Sequence, residues 1–441
     1  MKKYCIPIFL ICITTFCKAK QIEMTPVQAI KTAGEFIDVG DMENAWQILT
    51  LMPETNNQAI EIERKFLKAQ ILQKQGDPQE AIKLYQQILD KNPELARVRF
   101  ELAVCYMQTK QWQRADWHLR LAMADDALGT DAKQVMNAYR YIVRQNKRWN
   151  VWFNVGLAPD NNINNSVAGQ ECVSTIVGPV CNRLNKPESG IGYNATVGGN
   201  HEFVLSGRWR WKSQANLDTN IYHKHKFDEL HISAQTGPRF IWENGDVWLA
   251  GTIGRRWYGW ERYNWYAGAK IAGQFDLSNK LGLGLNLQFT NNKYDLYDEF
   301  FSGQTYSANI HTMYAFNSSI YTVFKTGVIR ENARSDMYSY TQPYVAAGVG
   351  VQLPYGFNVY AEPAVYLAKY DAPQWTIQDN NFAQITERNQ TWRYMLAISN
   401  NNIRIWNTVP MITFAYTKRD SNIWQRQYEK ASIAITLTQR F

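Results

Sequence analysis

The sequence predicts a two-domain protein in which α-helical repeats precede a transmembrane antiparallel β-barrel of about 14 strands. Apolar residues recur every three or four positions up to residue 148 and every second position from residue 149 onward. The 16 Trp and 25 Tyr suit the two aromatic girdles of a membrane barrel. No internal stretch approaches the ~20 apolar residues of a membrane helix.

Residues 1–19 are predicted to be a secretory signal peptide. A basic Met-Lys-Lys start is followed by an apolar segment and by a small-x-small cleavage motif that ends at Ala19. Lipoprotein processing at Cys17 is the weaker alternative, because bulky Phe16 precedes it. Removal of the signal takes three lysines from the net charge of +8 and leaves +5. This modest excess gives no argument for a nucleic-acid partner.

Residues 20–148 are predicted to form tetratricopeptide-like repeats in the periplasm. Ala81 and Ala115 are 34 positions apart, and the same offset places Ala69 on Ala103. Small residues at these positions let two antiparallel helices approach closely. Three repeat units and a final helix near 130–146 are expected.

A repeat array of this kind predicts a concave groove for an extended or partly folded protein segment. By the phase of the repeat, the candidate substrate-binding residues of the groove are Glu63, Phe66, Gln70, Arg97, Phe100 and Met107. The alternative is that Phe66 and Phe100 belong to the helical core. A basic cluster at the exit of the domain is expected to be a solvated face rather than a contact with lipid or acidic partners: Arg140, Arg144, Lys147 and Arg148.

Residues 149–441 are predicted to form the outer-membrane β-barrel. Fourteen alternating runs can be counted, from 149–158 to 429–441, and an even number suits single-chain bacterial barrels. Pro159 lacks a backbone donor and is expected to end the first strand. Short turns alternate with long loops such as 159–190 and 370–389, and short turns of such barrels face the periplasm.

Two kinds of candidate site fall within the barrel. Charged residues of the inward face are expected to pair across a water-filled lumen: Arg210, Arg239, Lys270, Asp276, Glu362 and Arg393. Cys172 and Cys181 share one loop in an oxidising compartment, which predicts a disulfide. Metal binding by the two cysteines is a distant alternative.

Recognisable catalytic motifs are missing from the sequence. It contains no nucleophile elbow, HExxH motif, paired CxxC or phosphate loop. His223, His225 and His231 cluster near one turn, but a lone loop cluster is more often exposed than metal-bound. We therefore predict a protein that is not an enzyme and has neither a cofactor nor a metal site.

The stretch FNVGLAPDNNINNS at 153–166, with the repeats before it and the 14 predicted strands after it, resembles the surface lipoprotein assembly modulator (Slam) family. The resemblance implies an outer-membrane translocator that carries surface lipoproteins, or related secreted host-metal or haem acquisition proteins, to the cell surface. We expect the protein to be a monomer. Outer-membrane lipid and the barrel-insertion machinery are the other expected partners, the latter because Phe441 ends an alternating strand. An exopolysaccharide export porin, which also joins helical repeats to a barrel, is the main alternative, and a barrel-embedded hydrolase is disfavoured.

Overall fold

The computed structural model describes residues 24–184, 186–405 and 408–440. The predicted signal peptide, residues 1–19, and the terminal Phe441 lie outside the described residues. The chain divides into two compact units, the first ending at Ile71 and the second beginning at Leu72.

The first unit is built from helices α1 (Pro26–Asp38), α2 (Met42–Leu51) and most of α3 (Gln58–Lys74). Thr25 caps α1 in a capping box with Gln28. The side chain of each residue accepts a hydrogen bond from the backbone N–H of the other, which satisfies two N–H groups at the start of the helix. Small and branched apolar residues fill the core between these helices, which allows a close approach: Ala29, Ala33, Ile37, Ala45 and Leu49.

The second unit begins with four helices: α4 (Pro78–Lys91), α5 (Ala96–Gln108), α6 (Trp112–Met123) and α7 (Thr130–Asn146). Asp77 caps α4 by accepting from the Glu80 amide, and Gly76 adopts φ +88° at the preceding turn. Consecutive helices pack against each other, as in helical repeats. No helix of the described ranges has the length and apolar character needed to cross a membrane.

In the described residues, the rest of the second unit contains 16 strands, of which 14 form a closed antiparallel barrel, as predicted. In chain order the strands are β1 (Trp149–Asp160), β2 (Gly169–Thr175), β3 (Gly178–Leu184), β4 (Gly190–Ser206), β5 (Trp209–Tyr222), β6 (Glu229–Trp242), β7 (Gly245–Tyr258), β8 (Glu261–Asp276), β9 (Leu281–Tyr294), β10 (Gly303–Ala315), β11 (Ile320–Ala333), β12 (Tyr340–Gln352), β13 (Phe357–Gln378), β14 (Asn381–Asn400), β15 (Val409–Ser421) and β16 (Tyr428–Arg440). Strands β2 and β3 form a separate two-stranded sheet, and β1 closes the barrel between β4 and β16.

Two predicted loops contain strands, so those predictions were wrong. The segment 159–190 holds the β2–β3 hairpin, and 370–389 continues β13 and β14 beyond the predicted ends. Asp379 and Asn380 turn that hairpin with φ of 53° and 59°, the conformation of a tight two-residue turn. The first strand also runs to Asp160, because Pro159 still pairs with Ile191 of β4.

Alternation along the strands separates an outward apolar face from an inward polar one. In β5, Trp209 and Trp211 are 48% and 40% exposed, whereas Arg210 between them is 5% exposed. In β1, Val155 and Leu157 are exposed and alternate with Asn154 and Gly156. Closed strands satisfy their backbone groups among themselves, so the apolar face can contact lipid.

Candidate functional site

The end of the barrel formed by the short turns, which we call the inner mouth, is covered by helices α4–α7. Each helix, or the loop beside it, makes a hydrogen bond or ion pair to this end of the barrel: Arg404 donates to Gln86 at 2.9 Å, Arg99 to Gln352 at 2.5 Å, Lys280 to Asp126 at 2.8 Å, and Asn137 to Asn279 at 3.1 Å. The four contacts involve connections or strand ends between β8 and β15, so the helices span much of the mouth.

A further attachment is an ionic cluster, the mouth clamp, formed by Asp116, Arg120, Arg140, Arg144 and Asp276. Asp276 ends β8, and all three arginines contact it, Arg120 at 3.3 Å and Arg140 at 3.0 Å. Asp116 of α6 also binds Arg140 at 2.9 Å and Arg120 at 3.7 Å. The clamp therefore ties α6 and α7 to each other and to the barrel wall.

The mouth clamp is buried enough for its charges to depend on one another. Arg140 is 2% exposed, and the side chain of Asp276 is 12% exposed. Burial alone would raise the pKa of Asp116, but attraction to Arg140 and Arg120 outweighs it and holds that pKa below the usual range. Removing one partner from such a network costs about 3–5 kcal/mol, because it leaves an uncompensated buried charge.

The expectation that Arg140 and Arg144 belong to a solvated basic face was wrong. Their acidic partner Asp276 lies more than 130 residues away, so local sequence could not reveal it. Two participants in the mouth clamp, Asp116 and Arg120, were missed altogether. Their four-residue spacing on one helix face, the same as that of Arg140 and Arg144, was the available signal.

Glycine at position 282 makes room for the mouth clamp. A Cβ atom there would lie 2.4 Å from Nη1 of Arg120. The inward face of β9 therefore carries no side chain at the point where Arg120 of α6 reaches Asp276.

Apolar packing adds to the closure of the inner mouth. Leu121 and Ala124 of the α6 region pack with Ala315 at the end of β10, and Met313 and Tyr321 extend this cluster. Trp117 of α6 meets the Tyr321 ring edge-on, with centroids 5.1 Å apart. Helix α6 is thus inserted against the inner wall rather than resting on the turns.

A cavity of about 410 Å³ lies between α4–α6 and the ends of β11–β15. It is lined by His118, whose ring is 5.5 Å from that of Tyr106 and whose Nδ1 has no hydrogen-bond partner among the described residues. Burial and then the nearby Arg99 and Arg114 charges lower the pKa of His118 well below its usual value. His118 is therefore neutral when these helices are docked.

The six predicted lumen residues lie on the inward face but differ in what they contact. Arg239 binds Glu202 at 2.7 Å and Asp246 at 2.9 Å. Glu362 binds Lys325 at 2.7 Å. These pairs join neighbouring or next-neighbouring strands.

The remaining lumen residues divide between the mouth and the interior. Arg210 donates to Gln145 of α7, and Asp276 belongs to the mouth clamp. Lys270 lies 5.8 Å from the ring centre of Trp248. Arg393 is exposed to the lumen.

The predicted groove residues fall on two helices. On α3, Phe66 is 2% exposed and belongs to the helical core, so its assignment as an exposed groove residue was wrong, while Glu63 and Gln70 are partly buried. The repeat phase could not distinguish the core side of α3 from its groove side.

On α5, the predicted groove residues are more accessible. Arg97 is exposed, Met107 is partly buried, and Phe100 packs on Tyr139 of α7 at 5.7 Å between ring centres. In the second unit, the predicted client contacts therefore all lie on α5.

At the opposite end of the barrel, the structure places Cys172 and Cys181 in a disulfide with sulfurs 2.11 Å apart. It joins β2 to β3 directly across the hairpin. Near the predicted histidine cluster, His225 contacts Asp228 at 2.9 Å and His231 contacts Tyr266 at 3.0 Å. Within the described ranges, no three His, Cys, Asp or Glu residues are grouped so that they could hold a metal ion.

The junction between β1 and β16, which we call the seam, joins the first and last strands of the barrel. Its described ladder pairs residues 152–157 with 435–440, skips Ala158 and Pro159, and resumes where Asp160 faces Ser432. Gly156 is needed for the close approach, since a Cβ there would lie 2.2 Å from the Ile435 carbonyl oxygen. Pro159 has no N–H to give to β16, so the ladder fails at that height.

Side chains of the Asn-rich segment close the seam beyond the skipped pairs. Asn161 exchanges hydrogen bonds with the Ala431 backbone, its amide donating at 3.2 Å and its Oδ1 accepting at 2.8 Å. Asn162 donates to the Glu429 carbonyl oxygen at 2.8 Å, and Lys430 binds Asp160 at 2.7 Å. We call this polar group the seam latch; it gives the stretch 153–166 a structural role in closing the barrel.

The fold and the site define a class of protein: an outer-membrane β-barrel whose inner mouth is occupied by helices of a repeat array. More particularly, the chain belongs to the surface lipoprotein assembly modifier family. The family's barrel model matches residues 149–441, and its model for the N-terminal TPR repeats matches residues 19–119. The predicted family and the outer-membrane location are thereby confirmed, with the repeats on the periplasmic side.

Individual relatives are distant but extensive. The chain is 21% identical over 393 residues to a surface lipoprotein assembly modifier of Pasteurella multocida, covering 86% of this chain and 76% of that protein. It is 20% identical over 393 residues to surface lipoprotein assembly modifier 1 of Haemophilus influenzae, covering 84% and 76% respectively. Among solved structures, a Pseudomonas aeruginosa FadL homologue matches with a TM-score of 0.38 at 8% identity, covering 74% of this chain and 93% of that one, which is too low for a functional comparison.

Proposed function

We propose that this protein moves lipoproteins across the outer membrane to the cell surface, acting as a translocator and not as an enzyme. Membership of the family supports a role in lipoprotein assembly over polysaccharide export. The observation that carries the translocator proposal is the mouth clamp, because helices of a repeat array close one end of a polar lumen through ion pairs that are able to exchange partners.

The barrel has a width suited to an extended client rather than to a folded one. Eight-stranded barrels are filled by side chains, whereas barrels of 16–18 strands leave an aqueous channel. With 14 strands and polar inward residues, this barrel lies nearer the channel-forming group. The client therefore crosses unfolded or as a single extended segment and folds outside.

Client binding to the repeats is the step that opens the inner mouth. Arg97, Phe100 and Met107 of α5 are proposed client contacts, as are Glu63 and Gln70 of α3. Phe100 packs on Tyr139 of α7, and α7 carries two of the clamp arginines. A client that displaces Phe100 would disturb α7 and the mouth clamp together.

The proposed clients are surface lipoproteins, together with related secreted proteins that acquire host metal or haem. The protein works as a monomer in outer-membrane lipid after the barrel-insertion machinery has placed it there. Neither a cofactor nor nucleic acid takes part.

Co-expression tests this function directly. Candidate lipoproteins from the same genome are expressed with and without this protein, and surface display is scored by protease shaving of intact cells. At least one lipoprotein becomes protease-sensitive only when the protein is present. If every candidate stays protected while the barrel is correctly inserted, or if polysaccharide export is restored instead, the proposal is wrong.

A further inference from the structure

The lipid-facing wall of the barrel carries a concave surface, which we call the seam groove. It has a volume of about 1500 Å³ and extends from β13 across β16 and β1 to β5. The side chains that line it from the outward face are exposed and largely apolar, and they include Ile191, Tyr193, Tyr394, Phe414, Tyr416 and Ile433.

The groove is centred on the weak part of the seam. Pro159 and Ile433 both line it, and they lie at the height where the ladder between β1 and β16 is skipped. On its other edge Pro159 remains paired with Ile191. At Pro159 the break therefore affects only the edge that faces β16, and unsatisfied backbone groups facing lipid are costly unless something occupies the gap.

Two residues of the seam latch lie at the polar end of the groove. Asp160 and Asn161 line the same groove as the apolar side chains. Tyr394 and Tyr416 stack with ring centres 6.4 Å apart, and each carries a hydroxyl group on an apolar ring. A ligand with long apolar chains and a polar linkage at one end matches this arrangement.

The size of the groove also favours long chains. Pockets for drug-sized molecules have volumes of about 300–1,000 Å³, and this groove is larger. It is open to the membrane along its apolar side, so a chain could enter from lipid without crossing the lumen.

We propose that the seam groove holds the acyl chains of the lipoprotein client and that β1 and β16 separate there to let the lipidated end pass while the rest of the client crosses the lumen. This inference rests on the proposed translocator function. The skipped pairs at Ala158 and Pro159 start the separation, and the seam latch closes the barrel again afterwards. Acyl chains thereby stay in the membrane throughout transfer.

A disulfide across the seam tests the inference. Leu157 and Ile435 face each other on the outward surface, so L157C with I435C, in a background where Cys105, Cys172 and Cys181 are Ser, closes the junction on oxidation. The matched control is I271C with L287C, a directly paired and equally outward couple on β8 and β9. Each is tested with an acylated client and with the same client carrying an ordinary secretory signal and no acylated cysteine.

The oxidised seam is expected to lower display of the acylated client by about tenfold or more, because its chains would otherwise have to leave lipid. Release of the unacylated client is expected to be unchanged, reduction restores display, and the control couple affects neither client. Undiminished display of the acylated client with complete crosslinking overturns the inference, and so does equal loss of both clients. If the parent protein itself displays neither client, the proposed function is contradicted instead.

Photocrosslinking identifies the occupant of the groove. A benzophenone amino acid replaces Tyr394 inside the groove or Leu249, an exposed outward residue of β7, as the control. Acylated client is expected to crosslink from position 394 and not from position 249. Capture of phospholipid or lipopolysaccharide alone at position 394 overturns the assignment.

Discussion

The inner mouth and the seam are two closures of one barrel, and they are built from different interactions. The mouth is closed by buried charges and apolar contacts that join helices to the barrel. The seam is closed by a backbone ladder with two skipped pairs and by the polar seam latch. In the proposed function the two closures differ accordingly: the mouth would open by exchange of charged partners that a protein client supplies, and the seam would open by breaking a few hydrogen bonds beside lipid.

Breaking the mouth clamp is expected to have the largest effect. D276N leaves three arginines without their shared carboxylate, which should weaken docking of α6 and α7 by about 3–5 kcal/mol. Cells should become sensitive to a large antibiotic that the outer membrane normally excludes, and planar-bilayer recordings should show a larger open fraction.

The control for this prediction is D371N, which removes the partner of Arg330 in a partly exposed ion pair at the other end of the barrel. Such pairs contribute about 0–1 kcal/mol, so antibiotic exclusion should be unchanged. Equal permeability of D276N and the parent protein would show that the mouth clamp does not hold the mouth closed.

Weakening the seam latch is expected to have a smaller effect. N162A removes the hydrogen bonds to the Glu429 and Ser166 carbonyl oxygens, and each such bond contributes about 0.5–1.5 kcal/mol. Heat modifiability in gel electrophoresis should show barrel unfolding at a lower temperature, without antibiotic sensitivity.

N164A is the matched control, because Asn164 in the same Asn-rich segment bonds within its own loop, to Lys186 and Glu188, and not to β16. It should leave the unfolding temperature nearly unchanged. If N164A and N162A destabilise the barrel equally, the effect belongs to the loop and not to the seam.

Acidification is expected to affect the mouth and not the seam. Burial lowers the pKa of His118 in the docked helices, so only the undocked helices bind a proton at His118 as pH falls below about 6.5. Helix stability should therefore drop by at most about 1.4 kcal/mol per pH unit. Asp116 has a lowered pKa, so its contribution is lost only in much stronger acid, below about 3.8.

Circular dichroism melts of the helices at pH 7.5 and 5.5 check this prediction. Arg99 and Arg114 are the charged groups that act on His118, so H118Q should abolish the difference between the two melts. A pH dependence that persists in H118Q would assign it to another group.

The barrel was predictable because an alternation of two residues is local and repeats along every strand. The same rule failed at 370–389 and 169–184, where strands continue outside the membrane and do not need an apolar outward face. The repeat period identified the helices, but not that Phe66 points into their core. The mouth clamp joins residues more than 130 positions apart, so no local pattern could show that Arg140 and Asp276 meet.

If the proposed function is right, α7 must leave the inner mouth for a client to pass. The side chains of Asn137 and Asn279 are 3.1 Å apart, so N137C with N279C, in the cysteine-free background, staples α7 to the β8–β9 turn. Oxidation is expected to abolish display of both acylated and unacylated clients, and reduction to restore it, while neither single cysteine variant has an effect. Full display of client with the staple completely formed would contradict the account.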